Sequence, residues 1–211
     1  MAISIITEEG KESLAFRSHW WGFPDLPEGV GFPSIPDPET DPESDDEDLL
    51  TFICQVNLAD IAQYDPAGRL PHSGFLYFFA ALDYFLGDTD AGWGPIGYWP
   101  EEMFRVIYAS ETQDLHTHRV QWADGSDACL PAEEMRFGEA GMMADGQKLL
   151  GLPFFDEVRE EAPGDISLLQ IDEDYRWNLR FYDCGMLNFL ISPQDLADCR
   201  FDKVRLYMHC M

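Results

Sequence analysis

The chain has 211 residues, 45% of them hydrophobic and including 15 Phe and 6 Trp, enough for one domain with a sizeable core and too apolar for disorder throughout. Its 40 acidic and 13 basic residues give a formal charge of −27, a surface that repels nucleic-acid phosphates and anionic membranes and attracts basic proteins. No apolar run approaches the roughly 20 residues of a membrane span, and the Met1–Glu9 segment has no basic start, so neither a spanning helix nor a signal peptide is expected and the expected location is the cytoplasm.

In chain order, residues 3–6 are a short β-branched run that predicts an edge strand. Ser18 to Gly29 is dense in aromatics, Pro and Gly, and predicts an ordered loop pinned by its rings. Residues 33–48 are acidic and Pro-rich; eight of the twelve positions from Asp37 to Asp48 are acids. A segment able to bury so little is expected to be a mobile loop. Its end, Asp45, Asp46, Glu47 and Asp48, leads directly into a strand, which makes these four acids the first candidates for contact with a basic partner.

Leu49–Asn57 predicts a strand and Leu58–Tyr64 a short helix ended before Pro66. Gly74–Leu82 predicts a second strand, and Asp83–Trp99, with four Gly and a Pro, a loop. Pro100-Glu101-Glu102 suits a first helical turn, since Pro needs no donor partner there and acids favour the positive end of the helix. Phe104–Tyr108 then predicts a strand. Residues 109–148 read as a connection and 156–164 as a polar stretch. Ser192-Pro193 is a helix start, with Ser capping free N–H groups, and Val204–Met208 is the last strand.

Two parts of the chain resemble each other. Phe52-Ile53-Cys54-Gln55-Val56-Asn57 leads to Gly74-Phe75-Leu76-Tyr77-Phe78, and Leu168-Leu169-Gln170-Ile171-Asp172 leads to Gly185-Met186-Leu187-Asn188-Phe189. Each has an apolar pair, Gln, a β-branched residue and Asn or Asp, then a Gly-x-Leu-x-Phe strand. The expected fold is therefore α+β: one sheet-rich domain over 1–211, with few short helices and two weakly similar units at about 49–108 and 166–208. Gln55 and Gln170 would occupy matching places. A Gln on an apolar strand must satisfy its amide, either by bridging backbone or as a polar contact on the floor of a cleft between the units.

Few motifs carry chemistry. Neither a Gly-rich phosphate loop nor a nucleophile elbow is present, so no catalytic residue, cofactor or metal is assigned and the chain is not read as an enzyme. His116 and His118 would share a strand face, with Asp114 as a third metal ligand only if the strand began there, and a half-exposed His pair without metal is the preferred reading. The five cysteines, Cys54, Cys129, Cys184, Cys199 and Cys210, lack C-x-x-C spacing and are expected to be reduced thiols.

The order of Trp21-Gly22-Phe23-Pro24-Asp25-Leu26-Pro27, Gln55-Val56-Asn57, the first Gly-x-Leu-x-Phe strand, Leu149-Leu150-Gly151-Leu152-Pro153, Leu168–Asp172 and Asp183-Cys184-Gly185 resembles the YwqG-like family of bacterial proteins, over most of residues 15–207. The chain departs from that pattern in having Trp21-Gly22 and Phe32-Pro33 where the family tends to Gly-Gly and Trp-Pro. The resemblance implies a duplicated α+β fold and no established catalytic residues. It also implies a role, since some relatives stand beside contact-dependent or secreted toxins and look like the cognate immunity proteins. The expected function is thus a cytoplasmic immunity protein whose acidic surface binds a basic toxin, foremost a nuclease, with Trp20 and Trp93 as candidate aromatic anchors. The alternatives are a small-ligand or peptide binder using the cleft between units, and an enzyme with an unrecognised site.

Overall fold

Backbone pairing, rather than helix, organises this chain. A computed structural model describes residues 1–10, 13–35, 48–122 and 125–211. The first strands are β1 (Ala2–Glu9), β2 (His19–Trp20), β3 (Asp25–Pro27), β4 (Ser34–Ile35) and β5 (Asp48–Leu49). Next come β6 (Thr51–Asn57), β7 (Phe75–Ala80), β8 (Gly97–Tyr98), β9 (Phe104–Ala109) and β10 (Leu115–Thr117). The last are β11 (Glu133–Ala140), β12 (Lys148–Gly151), β13 (Ile166–Asp172), β14 (Met186–Ile191) and β15 (Arg205–His209). Among the described residues four α-helices of one or two turns connect them: α1 (Leu58–Ile61), α2 (Asp83–Leu86), α3 (Asp156–Glu161) and α4 (Pro193–Ala197).

Among the described residues, eleven strands form one antiparallel sheet in the order β8-β15-β14-β13-β12-β1-β11-β2-β6-β7-β9. The strand at residues 3–6 is not at an edge, as its brevity suggested. β1 runs in the middle, paired over its whole length with β11 from Ala2↔Ala140 to Glu9↔Glu133, and on its other side with β12. Ile3 and Ile5 face the core while Ile6 faces solvent, the period-2 alternation of a one-sided strand. At the far end of this ladder Glu8 and Glu9 oppose Glu134 and Glu133, a repulsive pairing. Arg136, Arg17 and Arg176 offset it by pairing with Glu8, Glu134 and Glu133.

The wings of the sheet are different. β7 (FLYFFA) and β14 (MLNFLI) are buried along their whole length, so their near-continuous apolar sequences have no solvent face. The sheet curls so that the wings meet: the rings of Phe78 and Phe189 pack edge-to-face at 5.2 Å, and Phe104 reaches Phe189 at 6.3 Å. One core cluster runs through both wings, which makes this a single domain.

On one side of the central pair β1/β11 the order is β2-β6-β7-β9, and on the other β12-β13-β14-β15. Gln55 stands opposite Tyr77 and Gln170 opposite Asn188. Each first strand slips register once, between Phe52 and Cys54 and between Ser167 and Leu169. The expected short helices after Asn57 and Ser192 are present, each capped by that residue's side chain. β11 and α3 lie in stretches read as connection and polar segment. β11 (EEMRFGEA) is charged and only half-buried, so it has no clean alternation to betray it.

Candidate functional site

The two glutamines are interior clamps. The Gln55 amide oxygen accepts from the Asp25 N–H at 2.8 Å, and its Nε2 donates to the Arg17 carbonyl at 2.9 Å and to Asp25 Oδ2 at 2.7 Å. The Gln170 oxygen accepts from the Phe154 N–H at 3.0 Å, and its Nε2 donates to the carbonyls of Gly146 and Ala144 at 2.9 and 3.3 Å. In each case the amide ties together the chain before and after the neighbouring strand of the sheet, β2 or β12. Both residues are 0% exposed with every strong bonding site used, so they bridge backbone and neither lines an open cleft.

Ionisable groups gather beside them. Asp25, also fully buried, accepts from the Phe16 N–H at 2.6 Å and the Thr117 hydroxyl at 2.5 Å besides Gln55, and its carbonyl accepts the Tyr77 hydroxyl at 2.5 Å. Burial pushes the Tyr77 hydroxyl far above its usual pKa, and the Asp25 carboxylate adds to the shift. His19, opposite Gln55, donates Nδ1–H to the Trp21 carbonyl at 2.6 Å, and burial keeps its pKa below the ordinary value. Lys148, opposite Gln170, is brought down to about 8 by burial, with Arg159 adding to the effect, and its ammonium donates to the Ala144 carbonyl. These groups fix loops, since each is spent on backbone or on a neighbour inside the core.

The open chemistry lies elsewhere. Between α2 and β8 the chain crosses to the far wing, where Tyr98 pairs with Tyr207 and the Trp99 N–H donates to the Leu206 carbonyl at 2.9 Å. Its loop and the turn before β14 enclose a groove of about 560 Å³ lined by Tyr84, Trp93, Pro95, Ile96 and Tyr182. Trp93 is 64% exposed, Ile96 59% and Tyr182 41%. The groove is held from both sides: the Tyr182 hydroxyl donates to the Gly94 carbonyl at 2.9 Å, and the Trp99 indole donates to the Pro95 carbonyl at 2.8 Å. Gly94 must be Gly, because a Cβ there would stand 2.1 Å from the Trp99 ring. Tyr182 sits at φ 60°, a left-handed backbone that a tyrosine adopts only when its surroundings impose it.

Two acids, Asp83 and Asp88, lie close to Tyr84 in the chain. Asp83, next to Tyr84, accepts from the Thr51 hydroxyl at 2.7 Å, and the Asp88 N–H donates to the Asp83 carbonyl at 3.0 Å. Burial raises the Asp83 pKa, the Thr51 bond opposes, and the charges of Asp88 and Asp48 raise it further. Asp48, the last acid of the acidic run, is near enough for its charge to act on Asp83. Ile35↔Asp48 and Ser34↔Leu49 pairing brings the two ends of that run together.

Of the residues named from sequence, Asp48 and Trp93 are exposed, while Asp45, Asp46 and Glu47 lie outside the described residues. Trp20 is corrected: it is 0% exposed, stacked on Trp177 at 5.6 Å, a core residue rather than a surface anchor. Tyr84, Ile96 and Tyr182 carry no motif of their own, and their only sequence signal is the number of aromatics in two Gly- and Asp-rich stretches. His116 on β10 is exposed and His118 half-buried. Among the described residues no three His, Cys, Asp or Glu side chains converge as metal ligands. The cysteines are free thiols, Cys54 buried and its pKa raised by burial, Cys184 and Cys199 exposed. No helix among the described residues is long and apolar enough to cross a membrane.

No curated protein matches the chain. The profile of a domain of unknown function, DUF1963, matches residues 21–210, from the turn after β2 to the end of β15. That span takes in the glutamine clamps, the groove and both wings, and the chain belongs to the DUF1963 family.

Proposed function

We propose that this chain is a cytoplasmic immunity protein that binds and neutralises a basic bacterial toxin domain of nuclease type. The observation that supports this most directly is the concentration of carboxylates at Asp48, Asp83 and Asp88 on a chain of net charge −27. A nuclease site must attract phosphates and so is basic. Carboxylates compete for that same site and raise the encounter rate by steering. Protection needs a tight complex, and inhibitor pairs of this kind reach roughly 10⁻¹³–10⁻¹⁶ M. The likeness to YwqG-like proteins, some of them toxin-associated, agrees with this role. We also read the fold as a duplication. The two four-strand blocks share their order, the place of their register slips and the bonding of Gln55 and Gln170.

The test is association with any toxin domain found encoded beside this gene. Replacing Asp45, Asp46, Glu47 and Asp48 by Asn, Asn, Gln and Asn is expected to slow association about tenfold at low salt. The difference should shrink at about 1 M salt, where charges are screened beyond about 3 Å. Absence of any complex with, or protection against, a neighbouring toxin would overturn the reading.

A further inference from the structure

We propose that the groove of Tyr84, Trp93, Pro95, Ile96 and Tyr182 is the docking site for a protein segment that presents a Lys or Arg beside an aliphatic side chain. This rests on the reading of the chain as a binder of basic proteins and names where and how it grips. Three observations carry it. First, large apolar side chains are exposed together here, on two loops that hydrogen bonds hold in place, and a preformed patch of this kind marks an interaction site. Second, its charge selects the occupant. Residues 83–102 carry five acids, Asp83, Asp88, Asp90, Glu101 and Glu102, and no base. The second loop, residues 172–183, carries four acids, Asp172, Glu173, Asp174 and Asp183, against two bases, Arg176, paired with Asp174 and Glu133, and Arg180, which lies over the Tyr175 ring at 4.9 Å. Third, the Trp93 ring is open to a cation: among the described residues it packs on no other ring, whereas Tyr84 and Tyr182 pack on Phe85 at 5.4 Å. Among the described residues the arginines stacked on aromatics lie over Phe23, Trp177, Tyr175 and Tyr98, none over Trp93, Tyr84 or Tyr182.

The chemistry of such an occupant is specific. An aliphatic side chain fills the apolar floor formed with Ile96 and Pro95. A guanidinium or ammonium set over Trp93 gains from the negative ring face, and the acids of residues 83–102 favour its approach. Groove anchoring of this type concentrates binding energy in a few aromatic residues, with the acidic rim contributing mainly to encounter rate and partner choice.

The experiment uses the full chain and three labelled synthetic peptides: one alternating Lys or Arg with Leu, one alternating Glu with Leu, and one with the same bases set among Gly and Ser. Fluorescence anisotropy measures affinity for the natural chain, for the double variant Trp93→Ala with Ile96→Ala, and for Asp83→Asn with Asp88→Asn. Both lined positions are exposed, and circular dichroism checks that each variant stays folded. The proposal expects binding of the basic–aliphatic peptide alone, and a loss of about 10-fold or more in the double variant, at a net charge left unchanged. If basic peptides bind the natural chain but the double variant binds them equally well, the groove is overturned while the acidic-binder reading stands. Binding of the acidic peptide, or self-association of the chain abolished by the double variant, overturns the cationic occupant. Failure of every basic peptide to bind overturns the groove proposal, while the immunity reading stands or falls on the toxin-binding test.

Discussion

Single side chains hold this fold at two matched points. Gln55 and Gln170 each make three hydrogen bonds to backbone or carboxylate with no solvent in reach. Removing either amide leaves buried partners without a bond. Gln55→Ala and Gln170→Ala are each expected to cost about 2–3 kcal/mol, read as a lower urea midpoint with unchanged slope. Gln55→Ala should cost more, because its loss also strips a donor from the buried Asp25 carboxylate. Equal stability of the variants and the natural chain would mean that these amides are not the clamps the geometry makes them.

At the scale of elements, both Gly-x-Leu-x-Phe strands begin under a crossing chain. A Cβ on Gly74 would lie 2.3 Å from the Ala109 carbonyl oxygen, and one on Gly185 would lie 2.3 Å from that of Phe181 and 2.9 Å from that of His209. Ala109 and His209 end the partner strands β9 and β15, directly opposite Phe75 and Met186. The glycine is therefore what lets each strand start tight against its neighbour. Gly185→Ala is expected to cost about 1–3 kcal/mol of overpacking. Gly74→Ala should cost more, since Gly74 also sits at φ 91°, where an L side chain is strained. Thermal melts of the two variants check the order, and a neutral Gly74→Ala would contradict it.

The whole molecule carries a self-repulsion that its fold must withstand. With 40 acids against 13 bases, compaction brings like charges together, and ion pairs such as Arg136–Glu8 and Arg17–Glu134 offset only some of it. Salt screens the remainder. The melting temperature is expected to rise by several degrees between about 0.05 and 0.5 M sodium chloride, over which the Debye length falls severalfold from above 10 Å. A flat or falling melting temperature would show that the net charge does not oppose compaction.

Sequence alone determined the strand-rich character, the satisfied glutamines on apolar strands, the glycines that open β7 and β14, and the acidic balance. These follow from local chemistry: apolar runs of strand length, a polar amide that must be satisfied, and charge counts. Tertiary structure alone decided which aromatics are core and which are surface. Trp20 and Trp93 are chemically identical, yet Trp20 lies on a strand stacked against Trp177, while Trp93 rides a loop that crosses to the opposite wing. It also placed β1 at the centre of the sheet, because β11, a charged strand with weak alternation, pairs with it across more than a hundred residues. The groove was illegible for the same reason. Its walls come from residues 84–96 and from Tyr182, and only the curl of the sheet brings them within a hydrogen bond of each other.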